Sequence, residues 1–130
     1  MFRTDYFSVE SRIPADHPLR PVKKLADSAL SAISAELDGL YARTGRPSIP
    51  PERLLKAQLL IAFYSVRSDR QFCEQLAYNL QFRCFLDLDL ESGGLDQSNF
   101  SRLRERLVET DIARRFFDEV VRLARQDKLL

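Results

Sequence analysis

With 130 residues, 45% of them apolar, 30% charged and nine of them phenylalanine, the chain can close one hydrophobic core, and its composition is the opposite of a disordered segment's. A net charge of +1 excludes a uniformly basic or acidic surface, so any footprint on a polyanion has to be a local patch. Cys73 and Cys84 form no C-x-x-C and His17 is the only histidine, which excludes an ordinary zinc site; the cysteines read as small buried hydrophobes.

Residues 1–17 read as an irregular lead-in, which Phe2, Tyr6, Phe7 and Val9 would pin to the core. The opening M-F-R-T-D-Y-F-S-V-E lacks the apolar run of about seven residues that a secretory leader needs. The chain is therefore expected in the cytoplasm, a reducing compartment, with no membrane partner. Asp16 and Pro18 mark a helix start, and Leu19, Val22, Leu25, Ala26, Ala29, Leu30 and Ile33 have the spacing of one helical face. Pro21 fits only the first turn of that helix. Ser34 to Ala42 reads as a second, short helix with Leu37, Leu40 and Tyr41 inward, and Thr44-Gly45-Arg46-Pro47 as a turn.

The rest of the chain is organised around Gly45 to Val66, where a proline-rich basic loop runs into the most apolar stretch. Pro51 suits the first helical turn and Glu52 the positive end of the helix dipole. From Leu54 to Val66 the apolar residues surround the helix axis, which predicts a central post buried on all sides. It is too short to span a bilayer.

Ser68 with Gln71 three positions on has the spacing of a capping box. The helix it opens turns Phe72, Cys73, Leu76, Ala77 and Leu80 inward; Phe82, Phe85 and Leu86 extend the pattern after a kink near Asn79. Asp87 to Asp96 is a loop broken at Gly93-Gly94. Ser98 is the expected cap of a helix with Phe100, Leu103 and Leu107 inward. Thr110 caps the last one, with Ile112, Phe116, Val120, Val121, Leu123 and Ala124 inward. The fold class this predicts is all-α, a single multi-helix bundle of about six helices.

Three constellations bear on chemistry. The helices from Ser68 and from Ser98 have the character of a split helix-turn-helix, although the interval between them exceeds the standard short turn. With Phe100, Leu103 and Leu107 against the core, Ser98, Arg102 and Glu105 point out, with Ser101 and Arg106 beside them and Arg104 on a flank. Small polar residues at a helix start approach base edges, and arginines pair with guanine or phosphate. The same pattern fits a solvated face with an Arg102–Glu105 pair.

The second constellation is basic: Arg43, Arg46, Arg53, Lys56, Arg67 and Arg70 stand against only Glu52 and Asp69. Arg43 and Arg46 flank Gly45, where a stiff loop would present them to a phosphate or a minor groove; an ordinary exposed connection is the alternative. The third, Asp87-x-Asp89, reads as an acidic surface loop rather than a Mg²⁺ pair, since Leu88 and Leu90 alternate with the acids and no histidine or lysine accompanies them there. No G-x-S-x-G, phosphate loop or nucleophile–base pair is present, so no catalysis and no cofactor are expected of this chain.

Five segments resemble the N-terminal domain of InsH-type insertion-sequence transposases: R-I-P-A-D-H-P-L-R at Arg12, Y-A-R-T-G-R-P-S-I-P-P-E-R-L-L-K-A at Tyr41, Y-S-V-R-S-D-R-Q at Tyr64, Y-N-L-Q-F-R at Tyr78 and D-Q-S-N-F-S-R at Asp96. Cys84 stands where such proteins usually have tryptophan, and Gln97-Ser98-Asn99 where His-Ser-Thr is common. The resemblance implies a bacterial helical module that binds double-stranded DNA at the element's terminal inverted repeats. Taken with the two constellations above, Gln97, Ser98, Asn99 and Ser101 stand beside Arg43, Arg46, Lys56, Arg67, Arg70, Arg102, Arg104 and Arg106 as candidate DNA contacts. The resemblance further implies that cleavage belongs to a ribonuclease-H-like domain with three Mg²⁺-binding acids, absent from these residues. A dimerising role, through Phe116 and Phe117, and an inactive remnant are the alternatives.

Overall fold

The computed structural model describes residues 13–45, 48–88 and 95–127. Seven helices and no strand occur among them: α1 (Leu19–Ala32), α2 (Ser34–Thr44), α3 (Pro51–Tyr64), α4 (Asp69–Leu76), α5 (Leu80–Phe85), α6 (Gln97–Val108) and α7 (Asp111–Gln126). The multi-helix bundle is as the periodicities predict. Most of the lead-in, Arg46 and Pro47 of the basic loop, and residues 89–94 of the acidic loop, Asp89 included, lie outside the described residues.

The start of α1 explains why histidine, prolines and arginine occur together between Ile13 and Arg20. The Leu19 N–H donates to His17 Nδ1, and the Arg20 guanidinium reaches back to the carbonyls of Ile13 and Pro14 at 2.6 and 2.8 Å. Ile33, almost fully buried, separates α1 from α2. Gly45 ends α2 at φ 77°, a backbone conformation that costs glycine nothing. The Tyr41 hydroxyl then donates to Glu52 Oε1 at 2.7 Å, tying α2 to the first turn of α3.

α3 departs from its expectation. Leu54, Leu55, Ala57 and Leu60 are buried, but the last turn emerges from the bundle, leaving Phe63 54% and Tyr64 42% exposed. The helix stops at Ser65, which is left-handed at φ 53°, with the Val66 N–H closing back on the Ile61 carbonyl. Tyr64 lays its ring 5.4 Å from Phe82, which stacks on Phe72 at 5.6 Å, which stacks on Phe100 at 5.6 Å. This row of rings joins α3, α5, α4 and α6.

The kink expected at Asn79 is a full break. The Asn79 side chain accepts the N–H groups of Gln81 and Phe82 and so starts α5 as a separate helix. Ser68 caps α4 and Thr110 caps α7 as expected. α6 is capped by Asp96 rather than by Ser98: the carboxylate accepts the Asn99 N–H at 2.9 Å, which places Ser98 inside the first turn. A carboxylate is the stronger acceptor there and also meets the positive end of the helix dipole.

α7 makes its largest contact with α1. Phe116 is fully buried and Phe117 half-buried against the core. Cys73 is buried, and burial, with the charges of Asp69 and Asp96, pushes its thiol up to about 11; it stays protonated at neutral pH.

Candidate nucleic-acid interface

α6 turns Phe100, Leu103 and Leu107 into the core, and the opposite face carries the residues expected to meet DNA. Ser98, Arg102, Glu105 and Arg106 are exposed, and Gln97 is exposed at the helix start. Both flanks of α6 are hydrogen-bonded to neighbouring segments. On one flank the Ser101 hydroxyl donates to Asp69 Oδ2 at 2.7 Å and Arg104 Nη2 donates to the same oxygen at 2.9 Å. Asp69 opens α4 between the exposed Arg67 and Arg70, and among the described residues Arg70 pairs only with the exposed Glu74, 3.6 Å away. On the other flank Asn99 Nδ2 donates to Ser48 Oγ at 2.7 Å, which fixes α6 to the segment leading from Gly45 into α3. Arg43 is exposed in the last turn of α2, just before that segment.

Arg102 and Arg106 differ from Arg104. Arg104 is part-buried and held by Asp69, so it positions the helix. The Arg102 guanidinium donates to Asn99 Oδ1, with no ion pair to Glu105, and Arg106 makes no ion pair among the described residues. Both line a cavity of about 330 Å³ between α2, the start of α3 and α6. Gln97 Nε2 donates to Ser101 Oγ, which orients that hydroxyl toward Asp69.

Lys56 does not belong with these residues. Only 3% exposed, its ammonium lies 2.5 Å from Asp27 Oδ1 and 2.8 Å from Asp87 Oδ2, and Lys23 bridges the other oxygens of the same two carboxylates at 3.0 and 2.9 Å. Two lysines and two aspartates thus close a ring that ties α1 and α3 to the turn after α5. Arg53 completes the hold on that turn by donating to the Leu86 carbonyl at 3.2 Å and, more weakly, to the Asp87 carbonyl at 3.4 Å. The acidic loop therefore begins with a structural carboxylate, and Asp87 takes φ 60° to present it.

Burial disfavours the charged forms in this ring. Even so, hydrogen bonds from Lys56 and Lys23 hold the Asp87 carboxyl below its ordinary 3.8, and those to Asp87 and Asp27 hold the Lys23 ammonium above its ordinary 10.5. A carboxyl depressed by folding stabilises above its unfolded pKa and loses that contribution as pH falls through its folded one. A raised amine stabilises below its unfolded pKa and loses that contribution as pH rises through its folded one. Stability from the ring is accordingly flat near neutrality and declines below about pH 4 and above about pH 10.5. In Asp87→Asn the acid limb of a urea-unfolding profile should be shallower than in the native protein. An unchanged limb would place that proton uptake elsewhere.

Sequence reasoning missed Asp69, Ser48 and Arg53 as the residues that set α6 and the turn before it. A carboxylate in a first helical turn reads as a dipole partner, and nothing local signals that its hydrogen bonds come from another helix. Among the described residues no group of three or more His, Cys, Asp or Glu is placed to hold a metal ion, and no helix is long and apolar enough to cross a membrane.

No curated protein and no solved structure matches the chain. The model of the family described as Transposase domain (DUF772) matches residues 7–106, most of the chain, with α1 to α5 and nearly all of α6 inside the match. The chain belongs to this transposase domain family.

Proposed function

We propose that this chain is the DNA-recognition module of an InsH-type insertion-sequence transposase. In this reading α6 enters the major groove at the element's terminal inverted repeats and α4 supports it as the other half of a split helix-turn-helix. Arg102 and Arg106 approach bases or the flanking phosphates, while Arg43, Arg46, Arg67 and Arg70 contact the backbone on either side. Strand cleavage and its Mg²⁺ belong, in the same reading, to a ribonuclease-H-like domain of the transposase and not to these helices.

The observation that supports the reading best is that one helix with an exposed polar and arginine face is hydrogen-bonded on one flank to Asp69, between the exposed Arg67 and Arg70, and on the other to Ser48, in the segment that follows the exposed Arg43. A duplex laid along α6 would meet positive charge on either side, as a groove-reading helix requires, since phosphates border the groove. Burial of Phe116 and the packing of Phe117 on the core count against a dimer formed through those rings.

The test is selection of duplexes from a random-sequence pool on the full chain, followed by competition against a scrambled duplex. Arg102→Ala should keep the fold and cost about 1–3 kcal/mol in binding the selected duplex, with relaxed preference at one position, if it reads a base. Arg70→Ala should weaken all duplexes alike and flatten the log–log salt dependence by about one unit. If no duplex is enriched, or both variants bind like the native protein, α6 is not a DNA-reading helix.

A further inference from the structure

The cavity beside α6 has a chemistry that contact with an intact duplex leaves unused. Its lining includes Leu40 of α2, Pro51 and Leu54 of α3 and Leu107 of α6, with Arg102 and Arg106 along one side. The volume of about 330 Å³ lies at the small end of the range for ligand pockets, room for one planar ring system. Stacked DNA offers phosphates, sugars and base edges, whose main apolar feature in the major groove, the thymine methyl, is far smaller than this recess. A single nucleotide turned out of the stack offers a flat ring with stacking π-faces and a phosphate on each side.

We propose that this cavity receives one unstacked nucleobase of the bound DNA, with Arg102 and Arg106 on the phosphates that flank it. The proposal rests on the DNA-binding reading of α6. The rim is organised for it: Ser48 Oγ holds Asn99, and Asn99 Oδ1 accepts from the Arg102 guanidinium, so that guanidinium is placed before any ligand arrives. Arg106 has no competing ion pair among the described residues. The Thr110 hydroxyl at the edge donates to the Leu107 carbonyl and accepts the Ile112 N–H, so its proton is not available to a base edge. Recognition in the cavity is accordingly by ring and shape, which makes the position tolerant of base identity.

The experiment uses the full chain and a duplex recovered by the random-sequence selection. 2-Aminopurine is placed at each position in turn, and binding is followed separately by anisotropy of an end label. One position should brighten several-fold on binding, as the base leaves its neighbours. A mismatch there should tighten binding, because part of the unstacking cost is already met. Leu40→Phe, which fills the recess, should abolish both the brightening and the mismatch preference while the protein stays folded by circular dichroism.

A duplex that binds with no position brightening in the native protein remains stacked, which overturns the cavity assignment and leaves the DNA-binding reading standing. Brightening that persists in folded Leu40→Phe puts the extruded base elsewhere and overturns it too. Failure of any duplex to bind, even at low salt, removes both readings. Since the fluorescence test is made on the native protein, a Leu40→Phe chain that does not fold leaves it intact.

Discussion

Replacing Phe72 with alanine is expected to destabilise the fold by about 3–5 kcal/mol and to lower its melting temperature by roughly 10–20 °C. Phe72 is fully buried, and its ring is sandwiched between those of Phe82 and Phe100, each 5.6 Å away. Removing it opens a cavity where α4, α5 and α6 meet, and forfeits two ring contacts worth about 0.5–1.5 kcal/mol each in addition to area burial. A domain of this kind has about 5–15 kcal/mol in total, so a large share of its stability depends on one side chain. The same seam holds Asp69 against Ser101 and Arg104, so under the proposed DNA-binding role any loss of binding in this variant should follow loss of folded protein. Urea unfolding followed by circular dichroism measures the effect. Phe72→Leu should cost clearly less, and a Phe72→Ala loss below about 1 kcal/mol would mean the site collapses and the stack contributes little.

The charged ring makes a second prediction, in which direction matters more than the number of ion pairs. Lys56 is 3% exposed, whereas the side chains of Asp27 and Asp87 are 46% and 60% exposed. Asp27→Ala with Asp87→Ala leaves the ammonium inside the protein without an acid partner and should cost about 3–5 kcal/mol. Lys56→Met exchanges that ammonium for an apolar chain of similar volume. The two carboxylates keep water and Lys23, and the change should stay within about 1 kcal/mol of neutral, of either sign. The two proteins differ in which charges they remove from one ring, so equal losses would refute the asymmetry. If Lys56→Met keeps DNA affinity unchanged at matched stability, Lys56 is confirmed as a core residue. A marked fall would return it to the interface.

What could be read from the sequence was what local spacing determines. Ala26 and Ala29, Phe100, Leu103 and Leu107, and Ile112 with Phe116 fall inward because a helix repeats every few residues, and each set is buried. Ser68 and Thr110 cap because their hydroxyls need reach only two or three residues. Lys56 was misread because a charge is taken for exposure, while its partner Asp87 is 31 positions away. Phe63 and Tyr64 were misread for the opposite reason, since apolar periodicity cannot say where the surrounding helices end. On α6 the outward face was legible, but the bond from Asn99 to Ser48 spans 51 positions, and with it the placement of Arg102. The match to the transposase domain family covers the segments at Tyr41, Tyr64 and Tyr78, and in them Arg53 and Asp69 hold other segments in place.

The pairing of α1 with α7 has a consequence for the order in which the molecule is made. A ribosome releases Leu19–Ala32 long before Asp111–Gln126, and α1's largest contact is with that last helix. Until then the buried face of Leu25, Ala26 and Ala29 lacks α1's largest packing partner. Closing so long a loop costs entropy that only the finished contact repays, so the bundle should lock late, as one event once α7 has been made. Nascent chains arrested before Asp111 would then be natural clients for chaperones that bind exposed apolar helices, and protease sensitivity should drop abruptly once α7 clears the exit tunnel.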